Sequence, residues 1–95
     1  MSFNRDDLIE VFQRLRNELD NRLYMLRNSD KKLDVQTLMF LAQHLEHRNT
    51  HSTIPDIRQR VNDYVKVIGT YDIDKTEVVE ELIINADKFI QELKE

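Results

Sequence analysis

The chain has 95 residues and a formal net charge of −4, with one glycine, one proline and no cysteine. That length allows one small domain with a single modest core. The missing cysteines exclude a disulfide scaffold, a thiolate nucleophile and a thiolate metal site, while the scarcity of glycine and proline argues against a fold rich in hairpin turns. The charge is uneven: residues 69–95 carry 3 Lys and Arg against 8 Asp and Glu. A basic nucleic-acid footprint is absent from the totals, and the acidic end would repel phosphate.

Four segments carry helical periodicity. The first is predicted over about 5–28. Asn4 is a good N-cap, Asp6 and Asp7 suit the first turn, and Phe3 and Leu8 have the spacing of a hydrophobic staple. Leu8, Phe12, Leu15, Leu19, Leu23 and Leu26 then make one apolar stripe. The second helix is expected over about 35–47. Asp34 would cap it, Leu33 and Leu38 would staple it, and Val35, Leu38, Leu41, Ala42 and Leu45 would face the core.

The third is expected over about 54–68. Thr53 or Ser52 would cap it, Asp56 would complete a box with Thr53, and Pro55 would sit in the first turn, where its missing N–H costs nothing. Ile57, Val61, Tyr64 and Ile68 form its stripe, and Gly69 is placed for a C′ residue at positive φ. The fourth, about 75–94, carries the strongest start signal: Asp74 and Glu77 match a capping box, and Ile73 and Val78 match a staple. Short connections make consecutive helices antiparallel, so the expected fold is an all-α, up-down-up-down four-helix bundle spanning 1–95, with the first helix longest and the second shortest.

All three histidines fall in "HLEHRNTH". On one continuous helix His44, His47 and His51 would share a face, which is usable geometry for zinc or copper. The weak helix formers Asn49 and Thr50, followed by a new start at Thr53, favour a simpler reading: His47 and Arg48 occupy a last turn, where cations suit the helix dipole, and His51 sits in the linker. No metal or other cofactor is expected. Catalysis is not expected either, because the serines fall at helix ends and no carboxylate lies on a buried face. A DNA-reading helix-turn-helix is disfavoured by the long linker before helix three, and by Asp56 and Asp63 among its arginines.

"LYML" at 23–26 and "LMFLA" at 38–42 are apolar around much of the helix circumference, more than a bundle helix requires. Tyr24, Met25, Met39 and Phe40 are therefore the candidate partner-binding residues. At least one is expected to be substantially exposed and to meet a protein partner, which includes a second copy of the chain.

From "LDVQTLMFLAQHL" through "STIPDIRQRVNDYV" to "DIDKTEVVEELI", the layout resembles the immunity proteins of pediocin-like bacteriocins. The shared features are a long first helix, a shorter second, a polar linker, a Pro-led helix bearing Pro55, Arg58, Arg60 and Tyr64, and a capped final helix. The resemblance implies a cytoplasmic antiparallel four-helix protein that protects a producer cell by non-catalytic interaction at the bacteriocin's membrane receptor, a sugar permease. The chain departs from many such proteins in being acidic. The alternative is a small helical adaptor or regulator, of phage type, that binds a soluble protein or dimerises.

Overall fold

A computed structural model describes residues 2–28, 35–69 and 72–95. They form four α-helices: α1 (Arg5–Arg27), α2 (Gln36–Thr50), α3 (Arg58–Gly69) and α4 (Thr76–Lys94). A 3₁₀ turn, Pro55–Ile57, leads into α3, and a second, Asp72–Asp74, precedes α4. Among the described residues there is no strand, only an isolated bridge between Phe3 and Ser52. No helix among them is long and apolar enough to cross a membrane.

Cross-helix contacts fix the directions. Arg16 pairs with Asp87 and Arg27 with Glu80, so α1 and α4 run antiparallel. Arg48, near the end of α2, reaches Asp7 and Glu10 at the start of α1. Arg60 pairs with Glu92, and Tyr64 reaches Leu82, so α3 and α4 are antiparallel as well. The result is the expected antiparallel four-helix bundle, in which α1 packs along both α2 and α4, and α3 packs along α2.

The core consists of the predicted stripes. Leu8, Phe12, Leu15, Leu19, Leu45, Val61, Ile68, Val79 and Ala86 are wholly buried. Phe12 stacks on Phe89 with ring centroids 4.9 Å apart, and Tyr64 meets both rings edge-on. Fully burying side chains of this size contributes about 1.5–3 kcal/mol each, so the stripes supply most of the driving force.

Several local expectations are met and several are corrected. Asn4 caps α1 as predicted: its side chain accepts from Asp7 N at 3.1 Å, and the Asp7 carboxylate accepts from Asn4 N at 2.9 Å. Asp34 and Leu33 lie outside the described residues, and Val35, at the N-cap of α2, makes no side-chain cap bond. The second helix extends to Thr50, past the predicted 47, and α3 with 12 residues is the shortest rather than α2 with 15. The cause is Asn49, which is fully buried and donates to Arg58 O and Asn62 Oδ1, both at 3.0 Å. Tertiary bonding outweighs its poor helix propensity.

Thr53 does not cap α3. Its hydroxyl lies 3.3 Å from Phe3 O, and its N–H donates to the same carbonyl at 2.9 Å, clipping the N-terminal segment to the α2–α3 corner. Gly69 ends α3 without a left-handed φ, so it is not a C′ residue. Asp74 is not the N-cap of α4 either: that position is Lys75, and no side-chain cap bond is made there. Ile73 is buried and its carbonyl accepts from Arg22 Nε at 3.0 Å, which holds the segment in a 3₁₀ turn and takes Asp74 off the cap position.

Candidate functional site

The backbones of α3 and α4 stay apart, whereas every other pair of neighbouring helices packs closely. Large side chains occupy the space between them. Tyr64 and Phe89 meet between the helices, and Tyr64 spans the gap to donate its hydroxyl to Leu82 O at 2.9 Å. Burial, assisted by the nearby Asp87 carboxylate, pushes the Tyr64 hydroxyl well above the ordinary tyrosine pKa, so it remains a neutral donor.

What remains is a groove of about 680 Å³. Its floor is apolar, formed by Tyr64, Val67, Val78, Leu82 and Phe89. Its rim is charged: Asp63, Glu77, Glu81 and Glu92 face Arg60 and Lys88. Arg60 is held by both Glu92 oxygens, at 3.1 and 2.5 Å, and lies over the Phe89 ring at 5.6 Å. The Arg60 hydrogen bond lowers the Glu92 carboxyl pKa, and its counterpart raises that of Arg60.

The candidate residues singled out from the apolar excess lie elsewhere. Tyr24 and Phe40 are 67% and 68% exposed, which meets the expectation that at least one would stand open. Met39 is half-buried against the core, and Met25 is also half-buried.

The histidines sit at a helix end. His44 and His47 lie on α2, and His51 caps its C-terminus with its N–H donating to His47 O at 3.2 Å. The rings of His47 and His51 are 4.8 Å apart, but His44 turns to Phe40 instead. His44 is half-buried rather than freely solvated. Its pKa is lowered, first by desolvation and then by Arg48, Arg14 and His47, with Glu10 opposing. Among the described residues no group of three or more His, Asp or Glu side chains is placed to hold a metal.

The groove was not foreseen from the sequence. Tyr64, Leu82 and Phe89 are buried stripe residues, as their spacing predicts, but a stripe does not tell whether the facing helix closes over it. Two polar residues inside the bundle were missed too. Arg22 is 8% exposed and Asn49 is fully buried. Comparison with known protein families, curated proteins and solved structures finds no match.

Proposed function

We propose that the chain acts without catalysis, as a helical module that binds another protein through the α3–α4 groove. One observation carries this reading: a groove stays open between α3 and α4, with Val67 exposed and Val78 part-exposed beside the buried Tyr64, Leu82 and Phe89. Grooves of this kind between helices are recurrent docking sites for proteins and ligands. Within that reading, immunity to a pediocin-like bacteriocin is the specific role suggested by the order of the helices and the Pro-led third segment. A soluble adaptor or regulator is the alternative, and the exposed Tyr24 and Phe40 offer it further contact residues.

Expression in a bacteriocin-sensitive host tests the specific role. Survival should rise against at least one of a panel of pediocin-like peptides. Val67→Asp, at an exposed position on the groove, should abolish protection while the protein stays folded. Unchanged survival across the panel would remove immunity and leave the adaptor. Protection that persists undiminished in Val67→Asp would take the groove out of the mechanism.

A further inference from the structure

We infer that the occupant of the α3–α4 groove is an amphipathic α-helix with lysine or arginine along its flanks. The inference rests on the protein-binding reading of the groove and adds the chemistry of the partner. The shape of the groove is the first argument. On α4 its lining runs from Glu77 to Glu92, about 22 Å at 1.5 Å per residue, and on α3 from Arg60 to Val67, about 10 Å, so the groove is elongated along the helices and has two walls for about two turns.

The backbone is the second argument. Both walls are helices, whose N–H and C=O groups beyond the end turns are paired internally. An extended peptide would find no ladder partner there and would bury unpaired backbone groups against Leu82 and Phe89. A helix brings its own hydrogen bonds satisfied and presents only side chains, at the i, i+3, i+4 and i+7 spacing that fills such a trough.

Charge is the third argument. Arg60 is engaged by Glu92. Among the described residues no ion pair engages Asp63, Glu77 or Glu81, which leaves Lys88 as the only cation of the lining outside an ion pair. The rim is therefore net negative and complementary to a basic flank, and it opposes phosphate. A second copy docking through the same face would set two acidic rims against each other, because a two-fold contact places a surface against itself.

Three synthetic peptides of about five helical turns serve as probes, with binding read by fluorescence anisotropy and mapped by amide chemical shifts. The first has leucine at helical spacing with lysine elsewhere. The second replaces every lysine by glutamate. The third has the composition of the first with leucines alternating as in a strand. The lysine helix should bind saturably, shift the amides of Val67, Val78 and Glu81, and weaken as salt is raised. Glu77→Lys combined with Glu81→Lys should weaken it about tenfold and admit the glutamate helix, as expected when rim charges set partner choice. Val67→Asp should weaken both helices, and circular dichroism should report an intact fold in each variant. If the lysine and glutamate helices bind alike in the groove, the charge assignment is wrong while protein binding there stands. If the alternating peptide binds as well as the helix, the helical occupant is wrong. If no peptide shifts the groove amides and a small apolar dye saturates the site instead, both the inference and the reading beneath it fall.

Discussion

Tyr64 on α3 donates its buried hydroxyl to the carbonyl of Leu82 on α4 at 2.9 Å, across the one pair of neighbouring helices whose described backbones do not pack closely. The bond joins the two walls of the groove. Tyr64→Phe keeps the ring contacts with Phe12 and Phe89 and removes only the hydroxyl. It should cost about 0.5–1.5 kcal/mol, the net worth of a typical intramolecular hydrogen bond, read from urea unfolding at neutral pH.

The same residue gives a test in alkali. The pKa of Tyr64 is raised in the folded state, by burial first and by Asp87 second. The folded protein therefore holds the phenolic proton more tightly than the unfolded chain does. The stability this provides is fully present below the unfolded tyrosine value, about 10, and is lost as pH rises from there toward the folded value. In this window wild type should lose up to about 1.4 kcal/mol per pH unit more than Tyr64→Phe. Parallel stability curves for the two proteins above pH 10 would contradict the burial of a neutral hydroxyl.

A pair of cap substitutions separates two helix starts that look alike in the sequence. Asn4 exchanges hydrogen bonds with Asp7, so Asn4→Ala should cost about 1 kcal/mol. Asp74 is exposed and makes no cap bond, so Asp74→Ala should change stability by less than about 0.5 kcal/mol. Equal losses in a urea titration would restore Asp74 as a cap.

These two starts show what was legible. The stripes of all four helices could be read because an apolar residue every three or four positions has only one helical face to occupy, and Leu8, Leu15, Leu45, Val79 and Phe89 all lie in the core. Element ends were less legible because they depend on distant partners. Asp74 loses the cap position to a turn in which the Ile73 carbonyl accepts from Arg22, 51 residues earlier. Asn49 extends α2 because Arg58 and Asn62 receive its amide. The groove was not legible at all, since no spacing along the chain encodes the distance between two helices.

Asn49 gives the next prediction. Its side chain is wholly buried, and Asn49→Ala leaves Arg58 O and Asn62 Oδ1 without this donor. Each of these two bonds contributes about 0.5–1.5 kcal/mol net, so the loss should exceed what an exposed asparagine in a helix contributes. The loss should appear as a lower urea midpoint with an unchanged slope. A neutral substitution would mean that the α2–α3 corner does not depend on this network.

His44 titrates against the fold in the acid range. Its lowered pKa, due first to desolvation and then to Arg48, Arg14 and His47, means that the folded protein prefers the neutral ring. The associated stability is fully present above the unfolded value of about 6.5 and is lost as pH falls through it toward the folded pKa. His44→Gln should therefore lose less stability than wild type between about pH 7 and pH 5. A proton NMR titration of His44 should give a midpoint below that of a free histidine, and a midpoint above it would refute the sign. Zinc should leave the melting temperature unchanged, because His44 turns to Phe40 and away from the His47–His51 pair.

Tyr24 and Phe40 yield the last prediction. Each is about two-thirds exposed, and an exposed large aromatic has more to gain from a partner than from the fold it sits on. Neither belongs to the core, so Tyr24→Asp and Phe40→Asp should change stability by no more than about 0.5 kcal/mol. Met39, one position earlier, packs against the core, and Met39→Asp should destabilise the protein by more than about 2 kcal/mol, because it forces a charge against apolar neighbours. With stability controlled in this way, changes in solution size report contacts. A second copy is the partner always available in a purified sample, and burying one such ring on association would contribute about 1.5–3 kcal/mol. Sedimentation equilibrium should therefore show the average mass of wild type rising with concentration, and the rise should weaken in Phe40→Asp and weaken further in the double variant. If wild type stays monomeric at the highest attainable concentration, or if both folded variants associate as wild type does, the two aromatics are not a self-association face.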